Sequence, residues 1–427
     1  MKVGVVGLGL SGLRAAMLLE RAGVDTCLFE ARARAGGRLW TVEGTAGPLY
    51  EAGGEWIDAD HLRILALLDE LELAPQAAPS GTGVAIYRGE RTTEDALWDE
   101  AIEAESAVEN KTRALCQDLR SPAWDNAWAA DLDRCDVAQF MRETTHSERG
   151  LFWVTAKYRS DEGEDLDRVG LLGWLAGFML YTERQGGELA AWRLPGGSGD
   201  LCARMLSRLQ APASFGRVLQ TVRQDQAGVS LLFGDGEERV DRVVLTLPPS
   251  CLKRVEFEPP LTTEQSAAVE ACRMGRIVKI CWEFEFPWWR DLGLNGSIVC
   301  DGPLQCVWDA SIGETPILCA YVCGEDAVWL AAQRDPVRAA LELLDGFFPA
   351  AGSCFVGGRC HDWTNDPFTR GGFSHMQPGY VLDHLRFIAT PGGRVHFAGE
   401  HTATWTGFME GALESAERVT EEMLCHE

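Results

Sequence analysis

The spacing of hydrophobic and polar positions changes several times along the chain, and the changes divide it into segments. Lys2–Gly7 is a short apolar run, Leu10–Ala22 has apolar residues at helical spacing, and Thr26–Glu30 is again strand-like. This order predicts a β-α-β unit whose turn lies where strand passes into helix. From about Glu51 to Asp136 the pattern reads as helical and acidic, and 137–192 stays mainly helical. A period of two returns in Arg217–Gln224, Gly228–Phe233 and Val240–Thr246, with turns such as Phe233-Gly234-Asp235-Gly236 between them. Ile277–Phe284 and Ile317–Val322 predict further strands and Pro336–Phe347 a helix. Val395–Ala398 predicts a last strand, and Gly407–Leu424 a closing helix. Two Gly-rich strand–turn–helix units therefore lie at opposite ends of the chain, with no repeat or low-complexity linker between them.

Composition narrows the function classes. Hydrophobic residues make up 46% of 427, enough for a sizeable core. The formal net charge of -25 argues against nucleic acid and anionic membrane as partners, since both need local positive charge. The same charge would concentrate cationic small molecules, although it also serves plain solubility. Fourteen cysteines include no C-x-x-C pair and no zinc-type spacing, so no metal is expected. Scattered thiols and a first strand that begins at Lys2 point to a reducing, cytoplasmic setting without a signal segment. The apolar run Val169–Tyr181 is too short to span a bilayer and reads as a core helix or a cavity wall.

Gly7-Leu8-Gly9-Leu10-Ser11-Gly12 sits at the first strand–helix turn, and Glu30 ends the next strand. Glycines there allow a tight turn and close approach of backbone to a pyrophosphate at the positive end of the helix. Glu30 is placed to accept hydrogen bonds from a ribose hydroxyl. The motif predicts a dinucleotide but does not choose between NAD and FAD.

The runs that follow carry a family resemblance. Glu30-Ala31-Arg32, Gly36-Gly37-Arg38-Leu39 and Gly53-Gly54-Glu55-Trp56 resemble signatures of the flavin amine oxidases, the family of monoamine and polyamine oxidases. Gly399-Glu400-His401-Thr402 and Trp405-Thr406-Gly407-Phe408-Met409-Glu410-Gly411 resemble the family's closing motif. Leu194-Pro195-Gly196-Gly197, Val218, Thr246-Leu247-Pro248-Pro249 and Trp363 match further blocks, and the likeness is weakest between about Leu71 and Trp192. The resemblance implies an α/β fold with a Rossmann-type FAD-binding domain assembled from 1–70, 193–255 and 390–427. An α+β substrate-binding domain with a helical portion, from 71–192 and 256–389, would complete it. The implied cofactor-binding residues are Gly7, Gly9, Ser11, Gly12, Glu30, Ala31, Arg32, Gly37, Arg38, Leu39, Gly54, Glu55, Trp56, Val218, Trp363, Gly399, Glu400, Phe408 and Met409. Met409 would begin the helix whose positive end faces the flavin.

By the same resemblance Lys279 corresponds to the lysine that holds a water against flavin N5; the plain alternative is a lysine on the solvent face of a strand. Phe373 and Phe408 match the aromatic pair that flanks the amine, against the alternative of ordinary core. Lys279, Phe373 and Phe408 form the candidate catalytic set. Gly372 stands where monoamine oxidases carry the flavin-linking cysteine, so FAD is expected to be non-covalent. Trp56 replaces the carboxylate-binding arginine of amino-acid oxidases, which favours a substrate without an α-carboxylate. Asp58 is either an acid facing a cationic substrate or an exposed helix N-cap. The expected reaction is oxidation of a small amine with dioxygen as acceptor and hydrogen peroxide as product. A homodimer is the candidate assembly. The alternatives are an L-amino-acid oxidase (with Arg159, Arg168, Arg184 or Arg193 as carboxylate partner), a related FAD-dependent desaturase or oxidase, and a non-catalytic flavin-binding scaffold.

Overall fold

A computed structural model of the chain describes residues 1–45, 47, 49–183, 189–313 and 315–425. Arg184, one of the candidate carboxylate partners, lies outside the described residues.

A parallel five-stranded sheet runs in the order Val395–Phe397, Arg242–Leu245, Lys2–Val6, Asp25–Glu30, Ala213–Phe215. Its strands come from distant parts of the sequence, as the two terminal Gly-rich units predict. Val3 and Val5 are fully buried on one face beneath Leu13 and Ala16 of the helix Leu10–Arg21 and Leu413, Ala416 and Val419 of the helix Met409–Leu424. First and last helices thus pack side by side, and the Ser11 and Ser415 hydroxyls meet at 2.9 Å. A four-stranded sheet, Gly236–Val240, Gly228–Phe233, Leu219–Asp225 and Glu256–Glu258, covers the other face through Val229, Leu231 and Phe233.

A seven-stranded sheet runs Phe355–Asp362, Ile277–Phe284, Ile317–Cys323, Cys306–Asp309, Leu294–Cys300, Thr82–Tyr87, Glu90–Thr93. On one face Val278, Ile280 and Trp282 pack with Leu318, Ala320, Val322 and the helix Pro336–Phe347. The opposite face carries Lys279 and Cys281, with Tyr321, Cys319 and His361 beside them in register. Both faces are covered, so Ile277–Phe284 is buried throughout its length. A helical layer of Asp99–Cys116, Val137–Thr144, Glu148–Glu162 and Leu171–Glu183 shares a third core.

The structure differs from the sequence reading at two places and decides between two alternatives at a third. Glu51–Asp136 is not helical throughout: Thr82–Tyr87 and Glu90–Thr93 form a hairpin through Arg88 and Gly89, both left-handed at φ 51° and 78°. The segment Val240–Thr246 is two strands in different sheets, ending at Val240 and resuming at Arg242. The run Val169–Tyr181 forms the helix Leu171–Glu183, with Leu172 and Leu175 fully buried, which selects the core-helix reading. No helix among the described residues is long and apolar enough to cross a membrane.

Candidate functional site

The first glycine turn follows directly from the strand Lys2–Val6. Gly7 takes φ 95°, a conformation that favours glycine, and its N–H is held by Phe29 O at 2.8 Å. A side chain at Gly12 would run into the Gly7 carbonyl, so this glycine lets the helix lie on the strand. Gly36 and Gly37, also left-handed, bring a second turn against the first: a Cβ on Gly37 would stand 3.3 Å from Gly9 Cα. Two bare backbone turns therefore face one space. The helix Leu10–Arg21 starts at Gly9 without a side-chain cap, which leaves its first N–H groups available to a ligand.

That space is the end of an elongated cavity of about 380 Å³. Glu30 and Val218 lie in its wall, together with Gly7, Gly9, Ser11, Ala31, Arg32, Gly37, Arg38 and Leu39. The Glu30 carboxylate accepts from Leu8 N at 2.7 Å and Arg32 N at 2.8 Å, which fixes it at the strand end. Arg32 is paired with Asp366 at 2.5 Å, and Arg38 with Glu400 at 2.6 Å. Burial pushes the Glu400 carboxyl upward, but the charge of Arg38, the neighbouring His401 ring and the Ser374 hydroxyl hold it below the usual range. Gly399, at φ 125°, and Glu400 close the same wall from the C-terminal unit.

The cavity continues past Gly54 and Trp363 to Lys279, Tyr321, Phe373, Phe408 and Met409. The helix Met409–Leu424 opens on Phe408 with no side-chain cap, so its uncapped end is turned to this space. Trp363 is buried and donates from Nε1 to Ala52 O at 2.8 Å, pinning the 363–373 segment to the Gly53-Gly54 loop. Phe373 and Phe408 are half-buried in the wall. Lys279 is only 3% exposed, which removes the solvent-face reading. Its ammonium donates to Gly53 O at 3.2 Å and to Glu55 Oε2 at 2.9 Å. Burial works against its charge, yet Glu55 and the nearby Cys319 and Cys281 thiols together raise its pKa above the usual lysine value.

Most of the expected residues converge here, but four do not reach the cavity wall. Gly12 serves helix–strand packing. Glu55 stands behind Lys279, and Trp56 lies under the Arg193 guanidinium at 4.9 Å, so neither touches the cofactor space as expected. Asp58 is buried, not an exposed N-cap: Oδ1 accepts from Ala190 N at 2.7 Å, and His61 approaches Oδ2 at 3.4 Å. The N-terminus of the helix Leu62–Glu70 is instead held by Glu410, which accepts from Arg63 N at 3.0 Å and Ile64 N at 3.1 Å. Tyr321 is the residue that the sequence reading passed over. Its strand was identified, but only the register places it opposite Lys279. Of the candidate carboxylate partners, Arg159 binds Asp165 and Asp326, Arg168 binds Glu325 and Arg193 binds Glu55; none of the three lines this cavity.

The residues present suit an FAD. Glycines form a cradle that any Cβ would fill, two uncapped helix starts face the cavity, and a fixed carboxylate stands at one end. Comparison with known proteins agrees. The family model for flavin containing amine oxidoreductase matches residues 10–424. The L-amino acid dehydrogenase of Synechocystis sp. is 25% identical over 97% of this chain and 92% of its own. Amine oxidase [flavin-containing] A of Canis lupus familiaris is 24% identical over 98% of this chain and 84% of its own. Among solved structures, the cyclohexylamine oxidase from Brevibacterium oxydans IH-35A superposes with a TM-score of 0.87 at 25% identity, covering 99% of both chains. Wild-type putrescine oxidase bound to putrescine shares the fold, with a TM-score of 0.90 at 24% identity over 100% of this chain and 99% of that one. The chain belongs to the flavin-containing amine oxidoreductases and is an FAD-dependent amine oxidase.

Proposed function

We propose that the chain oxidises a small amine that bears no carboxylate at the reacting carbon, passes the electrons to dioxygen and releases hydrogen peroxide. One observation carries the reading. The cavity end walled by Lys279, Tyr321, Phe373 and Phe408 is flanked by arginines already committed to carboxylates, while Trp56 occupies the position expected for a carboxylate-binding arginine. FAD, when bound, supplies the two-electron acceptor for the C–H bond next to nitrogen.

The chain's own residues then have separable tasks. Backbone N–H groups of the Gly7–Ser11 turn and the start of the helix at Met409 hold and polarise the cofactor from two sides. Phe373 and Phe408 orient the uncharged amine and keep bulk water from the reacting carbon. The Lys279 ammonium donates to a water that adds to the product imine, and an aldehyde and ammonia (or a smaller amine) leave. Among the described residues no side chain in this end of the cavity is placed as a general base, so alignment does most of the work.

A desolvated carboxylate without a cationic partner costs several kcal/mol, on the order of a thousandfold in affinity. Matched pairs test this in a peroxide-coupled assay: tryptophan against tryptamine, phenylalanine against phenethylamine, ornithine against putrescine. The decarboxylated amine is expected to win each pair in kcat/KM. The likeness to an L-amino acid dehydrogenase supports a second reading, in which an amino acid is the substrate. An amino acid that wins any pair establishes that reading, and an absence of peroxide with continuing dye reduction removes dioxygen as acceptor.

A further inference from the structure

Glu55 belongs by sequence to a cofactor-binding run, and the structure turns it away from the cavity. Its carboxylate is the meeting point of three donors. Oε2 accepts from Lys279 Nζ at 2.9 Å and Trp308 Nε1 at 3.1 Å, and Oε1 accepts from Arg193 at 3.0 Å. The side chains of Lys279, Glu55 and Arg193 are 4%, 3% and 12% exposed, so water does little to screen them. Arg193 is itself held by Asp309 O at 2.8 Å and by the face of Trp56. Ile57 and Trp192 exchange backbone hydrogen bonds of 2.9 Å each, which brings Arg193 to Glu55 across a large sequence separation. Two cations sharing one carboxylate leave the cluster with a net positive charge, and the cation at the cavity is Lys279.

The charge environment of Lys279 makes Glu55 the deciding neighbour. Cys281 lies on its own strand, Cys319 and Tyr321 on one neighbouring strand and His361 on the other. Glu55 and the Gly53 carbonyl approach from the loop, and the Trp308 ring lies 5.2 Å away. Among these groups Glu55 alone is a carboxylate in contact with the ammonium. A buried ammonium left with one carbonyl would either lose its proton or move toward water.

We propose that Glu55 is the positioning residue of this site, fixing the Lys279 ammonium in the cavity wall while Arg193 keeps the cluster positive. The proposal rests on the reading of Lys279 as the group that acts at the reacting centre. Glu55 touches neither substrate nor cofactor; it acts through Lys279.

The test uses the purified holoenzyme and its Glu55→Gln, Lys279→Met and double variants. Burial opposes the charge on Lys279 and Glu55 sustains it, so its protonation is held in the wild type up to high pH and released in Glu55→Gln. The flavin absorption spectrum of the oxidised wild type is therefore expected to stay flat from roughly pH 6 to 10, whereas Glu55→Gln gains a transition below the ordinary lysine value of about 10.5. Reoxidation of dithionite-reduced enzyme by dioxygen, followed by stopped flow, is expected to slow on the order of tenfold at neutral pH, with bound flavin unchanged. Neither measurement needs an amine, so failure here is distinct from failure of the proposed activity. In the double variant the loss should be no greater than in Lys279→Met alone. Independent, additive losses, or a flat spectrum and unchanged reoxidation in Glu55→Gln, would overturn the proposal. Should Glu55→Gln fail to fold, Glu55→Asp keeps the charge one methylene short. It should slow reoxidation by a smaller factor, and an unchanged rate overturns the proposal equally.

Discussion

Gly372 shows how one missing side chain decides the state of the cofactor. A Cβ at this position would run into Ile277 Cδ1, so a side chain here requires Ile277 to shift. Gly372 N donates to Gly275 O at 2.9 Å, and Gly372 O accepts from Arg38 at 2.9 Å. Packing against Ile277 thus disfavours a cysteine at this position. Acid precipitation of the purified protein should release intact FAD into the supernatant; colour in the pellet would refute this. Gly372→Cys should also release its FAD, and a thermal melt should show it destabilised by about 1–3 kcal/mol, the usual range for overpacking. At this scale the sequence was most informative where chemistry sits in contiguous motifs, as at Gly7–Gly12 and Gly399–Met409. It was least informative for Glu55, Trp56 and Asp58. These lie inside a recognisable run, but their ion pairs and stacking are made with distant partners such as Arg193 and Trp308, which the run itself does not specify.

Elements in this fold are often finished by their neighbours. The helix Leu62–Glu70 follows His61, which supplies no side-chain cap, and its Arg63 and Ile64 N–H groups turn instead to Glu410. Glu410 is 0% exposed and lies in the first turn of the helix that opens on the cavity, where a carboxylate also suits the helix dipole. Glu410→Ala should leave two buried donors without an acceptor and cost about 2 kcal/mol or more, while Glu410→Gln retains an oxygen and costs less. Urea unfolding measures the loss, and FAD fluorescence measures whether the flavin dissociates earlier. Equal stability of the two variants would show that water replaces the carboxylate. Long, strongly patterned elements such as Ile277–Phe284 and Pro336–Phe347 were legible with their full bounds. The hairpin Thr82–Thr93 was not, because its outer strand, Glu90–Thr93, is a polar edge without alternation.

At the scale of the whole molecule, the net charge of -25 invites the expectation that acid, by neutralising carboxylates, would relieve self-repulsion and stabilise the fold. The buried histidines predict the opposite between neutrality and pH 4. His361, His375 and His401 come from three separate segments, and burial lowers each to about 4; neighbouring cations add to this, and Glu164 and Glu400 only partly oppose it at His375 and His401. In the unfolded chain each would take up its proton near pH 6.5. Between those values these three groups bind more protons in the unfolded state than in the folded one, so their contribution to stability falls as pH falls. By pH 5 the difference is about 2 kcal/mol for each fully buried ring, and less for the partly exposed His361. Glu55 and Glu400, held below the usual carboxylate range, continue the same trend at lower pH: their contribution is present above the unfolded value and disappears as pH passes through the folded one. Asp161 and Glu162, raised by burial to about 6 and about 8, act in the opposite sense between pH 7 and pH 5 and offset much of the histidine effect, with Glu51 and Asp133, also raised by burial, adding to the offset. The melting temperature of the holoenzyme should therefore drop only slightly from pH 7 to pH 5, before carboxylates protonate in bulk. His401→Asn, which removes one buried ring whose Nδ1 has no hydrogen-bond partner among the described residues, should remove about 2 kcal/mol of the loss between pH 7 and pH 5. A melting temperature that holds steady or rises between pH 7 and pH 5 would mean that the raised carboxyls and relief of charge repulsion outweigh the histidines.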